Sequence, residues 1–293
     1  MPITRVGLVA KTGLDAAAGA LAELAGWLEA RDVHAVFETD TATLVGLPPD
    51  RRTVDRDELP LACDLVVVLG GDGTLIGMAD RIAESGADVA ILGVNFGSLG
   101  FLTEITLPEL YPSLEAVLGG TAEIEERMML RSRTLRGGAV EADRLALNDV
   151  VITKGALSRI IDLEVAIGDR HVMRVRADGL IIASPTGSTA YNLAAGGPIL
   201  HPEVDALLLT PIAPHMLTNR PVVIPASSEV RVRPAMNGSN EEVFITIDGQ
   251  SGHALQSDDE ICITRADRPL RLVRASTRTY FDVLRQKLKW SER

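Results

Sequence analysis

At 293 residues, 46% of them hydrophobic and 26 of them glycine, the chain is long enough for one large domain or two ordinary ones, and global disorder is excluded. A net charge of −11 leaves no excess of lysine and arginine to displace counterions. That excludes a general nucleic-acid binder but not a local basic pocket for a phosphorylated small molecule. Cys63 and Cys262 stand in no metal-like spacing and are too few for a disulfide scaffold. No run reaches the length of a membrane span, and the first residues show no secretory h-region, so the expected setting is cytoplasmic.

Arg5 to Ala10 is short and apolar and predicts a buried strand. Apolar residues at Leu14, Ala17, Leu21, Leu24 and Leu28 then predict a helix within residues 13–31, and Val33 to Phe37 a second strand. Glu38 to Leu61, with Pro48-Pro49 and mixed charges, reads as an exposed linker or lid. The organising stretch follows. Leu65 to Leu69 stops at Gly70-Gly71-Asp72-Gly73-Thr74, and an amphipathic run begins at Leu75. That is a parallel strand, a glycine turn and a helix start, whose free N–H groups attract phosphate. Asp72 is a poor phosphate partner, so its expected role is to bind a metal or take a proton. Val89 to Val94 predicts the next strand. Strand–helix alternation with buried strands implies a parallel sheet, and ligands of such sheets bind at the carboxyl ends of the strands.

Asn95 to Leu102 forms a second glycine-rich loop. It holds ligand phosphate or ribose through Asn95 and Phe96, or it is a structural turn with Phe96 and Phe101 in the core. Thr106 and Glu109 fit a capping box, and Pro112 predicts a late or kinked start to the helix reaching Leu118. After Gly119-Gly120 the pattern changes to short alternating runs separated by Gly137-Gly138 and Gly168-Asp169, which predict hairpins. The expected domains are residues 1–122, an α/β unit; 123–274, a β-rich unit resembling a sandwich; and a tail helix in 275–293 that packs back on the first.

Three segments of the β-rich part look chemical. Asn148-Asp149, just before a strand, offers an amide and a carboxylate that suit the two hydroxyls of a ribose, or forms an Asx turn. Residues Arg176 to Tyr191 are dense in small and hydroxylated side chains. Ser184, Thr186, Ser188 and Thr189 offer neutral hydrogen bonds, Gly187 permits close approach, Ala190 leaves space and the Tyr191 ring offers a flat face to a base or nicotinamide; Arg176 and Asp178 are added to the binding candidates with Thr186, Thr189, Ala190 and Tyr191. The proline-rich loop Thr210 to Pro221 carries His215, for which a structural hydrogen bond is the leading reading. Asp248-Gly249-Gln250 is a hairpin turn, with Gln250 added to the binding candidates. No His/Cys metal cage and no P-loop is present, so if phosphate is transferred, the reaction must rest on loop amides, a carboxylate and Mg²⁺.

The ordered set GGDGT (Gly70 to Thr74), NFGSLGFLTE (Asn95 to Glu104), NDVVITKG (Asn148 to Gly155), ADGLIIASPTGSTAY (Ala177 to Tyr191), GGPI (Gly196 to Ile199) and NRP (Asn219 to Pro221) resembles the NAD kinase family in its bacterial form, over nearly the whole chain. GGDGT alone is shared with lipid kinases and phosphofructokinases; the set is more specific. The resemblance implies phosphorylation of the 2′-hydroxyl of the adenosine ribose of NAD, from ATP or polyphosphate with a divalent cation. It implies that Asp72 activates that hydroxyl, that Gly71, Gly73 and Thr74 line the phosphate end, and that Asn148, Asp149 and Asp178 hold the nicotinamide end. It further implies that Thr186, Thr189, Ala190 and Tyr191 wrap the dinucleotide, and that the chain forms a homodimer or homotetramer. Small departures are Ser184 for a usual threonine, and Ala213 and Met216 beside His215. The rival readings are a GGDGT-type lipid or sphingoid-base kinase and a non-catalytic NAD(P) sensor.

Overall fold

The computed structural model describes residues 3–47, 53–155, 160–216, 218–235, 242–274 and 277–290. The chain divides into two units, Met1–Glu126 with Leu270–Arg293, and Arg127–Pro269.

The first unit opens with β1 (Arg5–Ala10), α1 (Ala17–Glu29), β2 (His34–Glu38), α2 (Thr39–Val45), β3 (Thr53–Val54) and α3 (Leu59–Ala62). It continues with β4 (Leu65–Gly70), α4 (Asp72–Ser85), β5 (Ala90–Asn95), β6 (Ile105–Thr106), α5 (Leu110–Leu118) and β7 (Ile124–Arg127). Every residue of β4 and β5 is buried, the mark of a parallel strand covered on both faces. Strand order is β3-β2-β1-β4-β5 at this end of the sheet. The chain therefore runs one way from β1 and the other way from β4, and the switch point lies between these two strands. Leu21, Leu24 and Leu28 of α1 are fully buried and belong to the same core cluster as Leu8, Leu65 and Leu92 of the sheet.

Glu38 to Leu61 is more ordered than its composition suggests. The Glu38 carboxylate is 3% exposed and caps α2, accepting from Thr41 N–H at 2.9 Å and Thr41 Oγ1 at 2.6 Å. The same hydroxyl accepts from Ala10 N–H at the end of β1. A run rich in charge and proline reads as a linker because tertiary partners for its polar groups leave no trace in composition. Residues 48–52, which carry Pro48-Pro49, lie outside the described residues. The capping box of Thr106 and Glu109 closes a 3₁₀ turn, Leu107–Glu109, and α5 starts after it. Pro112 sits in the first turn of α5, where no intrahelical donor is required.

The second unit contains β8 (Leu130–Arg136), β9 (Ala139–Ala146), β10 (Asp149–Lys154), β11 (Ile161–Ile167), β12 (Arg170–Ala177) and β13 (Gly179–Ala183). The four-residue α6 (Tyr191–Ala194) comes next, then β14 (Ala206–Ile212), β15 (Val222–Pro225) and β16 (Val230–Pro234). The unit ends with β17 (Val243–Ile247), β18 (Ser251–Leu255) and β19 (Asp259–Arg265). These form two six-stranded sheets, β15-β14-β13-β10-β17-β18 and β12-β11-β16-β19-β8-β9. Their inner faces share one core, with Val150, Ile152, Leu180 and Ile182 from the first and Leu163, Val165, Val232 and Ile261 from the second. The other face of the first sheet, at Val151, Ile181, Ala183 and Leu208, is covered by Ala195 and Leu200. Burial on both faces explains why β13 reads as an unbroken apolar run.

The segment Leu270–Val273, β20, had been expected within the β-rich part. It pairs parallel with β5, Arg271 opposite Ala90 and Leu272 opposite Ile91, and so completes the sheet of the first unit. A four-residue alternating strand carries no signal of which sheet or direction it will take. The tail helix α7 (Tyr280–Leu288) also lies in this unit, capped by Thr279 and Asp282, with Val283 and Leu284 buried.

Candidate functional site

In the first unit, Gly70 pairs with Asn95 across β4 and β5, so the two glycine-rich loops leave the sheet side by side. Phe96 N–H donates to Gly70 O. None of Gly70, Gly71 and Gly73 has positive φ. Their use is close approach. A β-carbon on Gly70 would lie 2.9 Å from Thr74 Oγ1 and 3.2 Å from Lys11 Cβ. Above Gly71 and Gly73, by contrast, no described atom lies within 4 Å of such a carbon. The first turn of α4, with Asp72 in it, therefore opens at the switch point, and the exposed Lys11 follows β1 on the other side of it.

Asp72 is engaged by the second loop. Its Oδ2 accepts from Phe101 N–H at 2.8 Å, and its Oδ1 from Leu102 N–H at 3.1 Å, Thr103 N–H at 2.9 Å and Thr103 Oγ1 at 2.9 Å. A carboxylate offers about four acceptor directions. Oδ1 is crowded, and Oδ2 keeps a free one. Gly100 makes the approach possible, because a β-carbon there would stand 2.0 Å from Asp72 Oδ1. Asn95 spends its side chain inside its own loop, donating to Ser98 O and accepting from Gly97 N–H, while Phe96 packs against the core.

The loop is braced from behind. Glu104, 2% exposed, pairs with Arg274 at 2.7 Å, and Arg278 donates to Glu104 O and to Glu109. Burial opposes the charge on Glu109, but hydrogen bonds from Thr106, Thr277 and Arg278 outweigh it and hold its carboxyl down to about 2. Lys287 of α7 lies over the Phe101 ring.

In the second unit, the corner Leu147-Asn148-Asp149 wraps around Asp248. One Asp248 oxygen accepts from Asn148 N–H at 2.8 Å and Asp149 N–H at 2.9 Å, the other from Leu147 N–H at 2.7 Å. Asp248 and Gly249 both have positive φ, and Gln250 N–H closes on Ile247 O, which gives the tight turn of the β17–β18 hairpin. Asp149 is 4% exposed. Burial first, and then the charge of Asp248, push its carboxyl up to about 7. Gly187 lies against the same corner: a β-carbon on it would fall 2.1 Å from Asn148 O.

The hydroxyl-rich segment divides its work. Ser184 bonds Leu147 O and receives Gly187 N–H, Ser188 bonds both main-chain groups of Leu200, and Asn192 bridges Ser188 O, Pro198 O and Thr210. These fix the segment's shape. Thr186 Oγ1 differs, being buried with no partner among the described residues. Thr189 Oγ1 makes a long contact to Thr186 O at 3.4 Å. Ala190 is half-buried, and the Tyr191 ring is exposed. Asp178 is tied to Lys154 Nζ at 3.1 Å. Arg176 and Gln250 are exposed, as is His215, whose N–H donates to Arg176 O. Sequence reading did not single out Lys11, Gly100, Thr103 or Glu104, and placed Asp248 only in a hairpin turn. The available signals were a lysine one residue past the first strand and an Asp-Gly turn, both common features.

A parallel sheet with Gly-Gly-Asp-Gly-Thr at its switch point, carried with an antiparallel sandwich bearing an Asn-Asp corner, sets the chain in the class of two-unit, α/β-plus-sandwich proteins. The family described as ATP-NAD kinase N-terminal domain matches residues 6–122, and that described as ATP-NAD kinase C-terminal domain matches residues 147–275. The chain is 50% identical to an NAD kinase of Geotalea daltonii over 99% of each chain, and 45% identical to one of Solibacter usitatus over 100% of each. Among solved structures, yeast NADH kinase complexed with NADH is 26% identical, with a TM-score of 0.87, covering 100% of this chain and 89% of its own. An NAD kinase from Archaeoglobus fulgidus in complex with ATP is 25% identical, with a TM-score of 0.75, covering 96% and 99%. The chain belongs to the NAD kinase family.

Proposed function

We infer that this chain phosphorylates the 2′-hydroxyl of the adenosine ribose of NAD, with ATP as donor, to give NADP. The observation that carries the reading is the full-length match to bacterial NAD kinases with the Gly71-Asp72-Gly73 turn intact.

A ribose hydroxyl is a weak nucleophile at neutral pH, and its attack on phosphorus passes through a loose transition state in which orientation matters as much as proton removal. Asp72 suits an orienting role. Four donors fix its position, and the free direction on Oδ2 is where a hydroxyl is accepted and its proton received late in the transfer. The open space over Gly71 and Gly73, the N–H groups of the first turn of α4, Thr74 and the charge of Lys11 form the end for the donor phosphates. A Mg²⁺ carried mainly by the donor phosphates belongs to the same reading. When bound, that ion neutralises charge on the donor and the transferred group.

The dinucleotide end is assigned to Asn148, Asp149, the unpartnered Thr186 hydroxyl, Thr189, Ala190 and the Tyr191 ring. Arg176, Asp178 and Gln250 stand at the periphery of this assignment, Asp178 already holding Lys154. Self-association as a homodimer or homotetramer belongs to the same reading, supported by the exposed apolar Val222 and Val223 on the edge strand β15. No helix among the described residues is long and apolar enough to cross a membrane.

The test is NADP formation by the purified chain with NAD, ATP and Mg²⁺, read by an NADP-specific dehydrogenase, with polyphosphate as an alternative donor and NADH as an alternative acceptor. Absence of product with either donor, while NAD still binds, would establish the sensor reading instead.

A further inference from the structure

We propose that Asp248 is a positioning residue for NAD: its carboxylate, gripped by three successive N–H groups, holds the Leu147–Asp149 corner in the shape that presents Asn148 and Asp149 to the ligand. The proposal rests on the assignment of that corner to NAD.

The geometry sets Asp248 apart from an ordinary turn residue. It occupies left-handed backbone, which aspartate tolerates better than most residues, and its N–H donates to Asp149 O while its side chain collects the three N–H groups of the corner. Two chain segments about a hundred residues apart are joined this way by four hydrogen bonds. Leu147 O and Asn148 O are taken in turn by Ser184, so both sides of the corner are fixed while the Asn148 and Asp149 side chains remain for other work.

The second consequence is electrostatic. Asp248, pushed up by its own burial and pulled back by the three N–H groups it accepts, places its charge beside a second buried carboxyl. The strands that flank β10 otherwise bring neutral groups to this end: Ala183 and Ser184 at the end of β13, and Ile247 at the end of β17. Lys154, at the far end of β10, is occupied by Asp178. Among the described residues, Asp248 is the charged group that bears on Asp149. The ionised form of Asp149 offers a free oxygen to each of two ribose hydroxyls, whereas the protonated form gives up one of those positions to its own O–H. NAD affinity is therefore expected to rise with pH through about 7, at a point set by Asp248.

The experiment measures NAD affinity by calorimetry, and KM and kcat by NADP formation, between pH 6 and 8.5, for the full chain and for Asp248→Asn. The variant can accept with only one oxygen. Its expected NAD KM is about tenfold higher, with kcat at saturating NAD and the ATP KM within threefold, and the rise in affinity moves to lower pH because the neighbouring charge is gone. An unchanged NAD KM and pH profile would overturn the proposal, as would parallel losses in kcat and both KM values, which mark a purely structural role. Asn148→Ala and Asp149→Asn are measured alongside. If neither alters NAD affinity, the corner is not the NAD site and the underlying assignment fails; if they do and Asp248→Asn does not, only the present proposal fails. Should Asp248→Asn not fold, Asp248→Ser is measured in its place: a raised NAD KM with kcat kept supports the proposal, and an unchanged NAD KM overturns it.

Discussion

Asp149→Asn is expected to stabilise the second unit, and to do so more at alkaline than at acidic pH. The unfolded carboxyl ionises near 3.8, whereas the folded one is pushed up to about 7 by burial and then by Asp248. Between those values the folded chain binds the proton more tightly than the unfolded chain. Stability is therefore greatest below the lower value, falls as pH rises through the window, and levels off above the folded value. Asparagine has no such dependence. At about 1.4 kcal/mol per pH unit, the variant should gain about 2 kcal/mol at pH 5 and about 4 kcal/mol at pH 8, and Asp149 is too buried for solvent to erase the difference. The assay is urea unfolding at both pH values, followed by far-UV circular dichroism, because Trp27 and Trp290 both lie in the other unit. NAD affinity should fall in the same variant, which separates the residue's cost to stability from its use in binding. An equal gain at the two pH values would refute the argument, since a pH-independent effect cannot come from ionisation of Asp149.

Thr103→Val keeps the side-chain shape in a fully buried position but removes one donor to Asp72; a hydrogen bond to a charged group is worth about 1.5–3 kcal/mol, so kcat should fall at least about tenfold with the NAD KM nearly constant. Steady-state kinetics with unchanged kcat would show that the grip on Asp72 is irrelevant to turnover. Gly100→Ala forces a β-carbon to within 2.0 Å of Asp72 Oδ1, so the loop must move, and turnover should drop about a hundredfold while circular dichroism stays native. Lys11→Ala should raise the ATP KM about tenfold and leave the NAD KM alone, the loss of about 1.4 kcal/mol in donor binding. A rise in the NAD KM instead would place Lys11 at the wrong end of the reaction.

Local order was legible wherever one periodicity or one turn dominates. The buried runs of β4 and β5, the apolar stripe of α1 and the Gly137-Gly138 and Gly168-Asp169 hairpins follow from spacing alone. So does the Gly-Gly-Asp-Gly-Thr turn at a strand's carboxyl end. The ordered motifs implied the family, which the full-length matches establish. The chain's composition also determined that it has enough apolar residues for a sizeable core.

Partnerships between distant polar groups were decided only when the chain folded. Nothing near Asp72 in sequence says that its four donors come from residues 101–103. Nothing near Asn148 says that its corner is gripped from Asp248, or that β20 will cross back to β5. Hydrophobic periodicity records which face of an element is buried, because burial acts on every residue of that face. A hydrogen bond between a side chain and a remote main-chain group is recorded in one residue only, and a single aspartate looks the same in sequence whether it faces solvent, a substrate or three N–H groups.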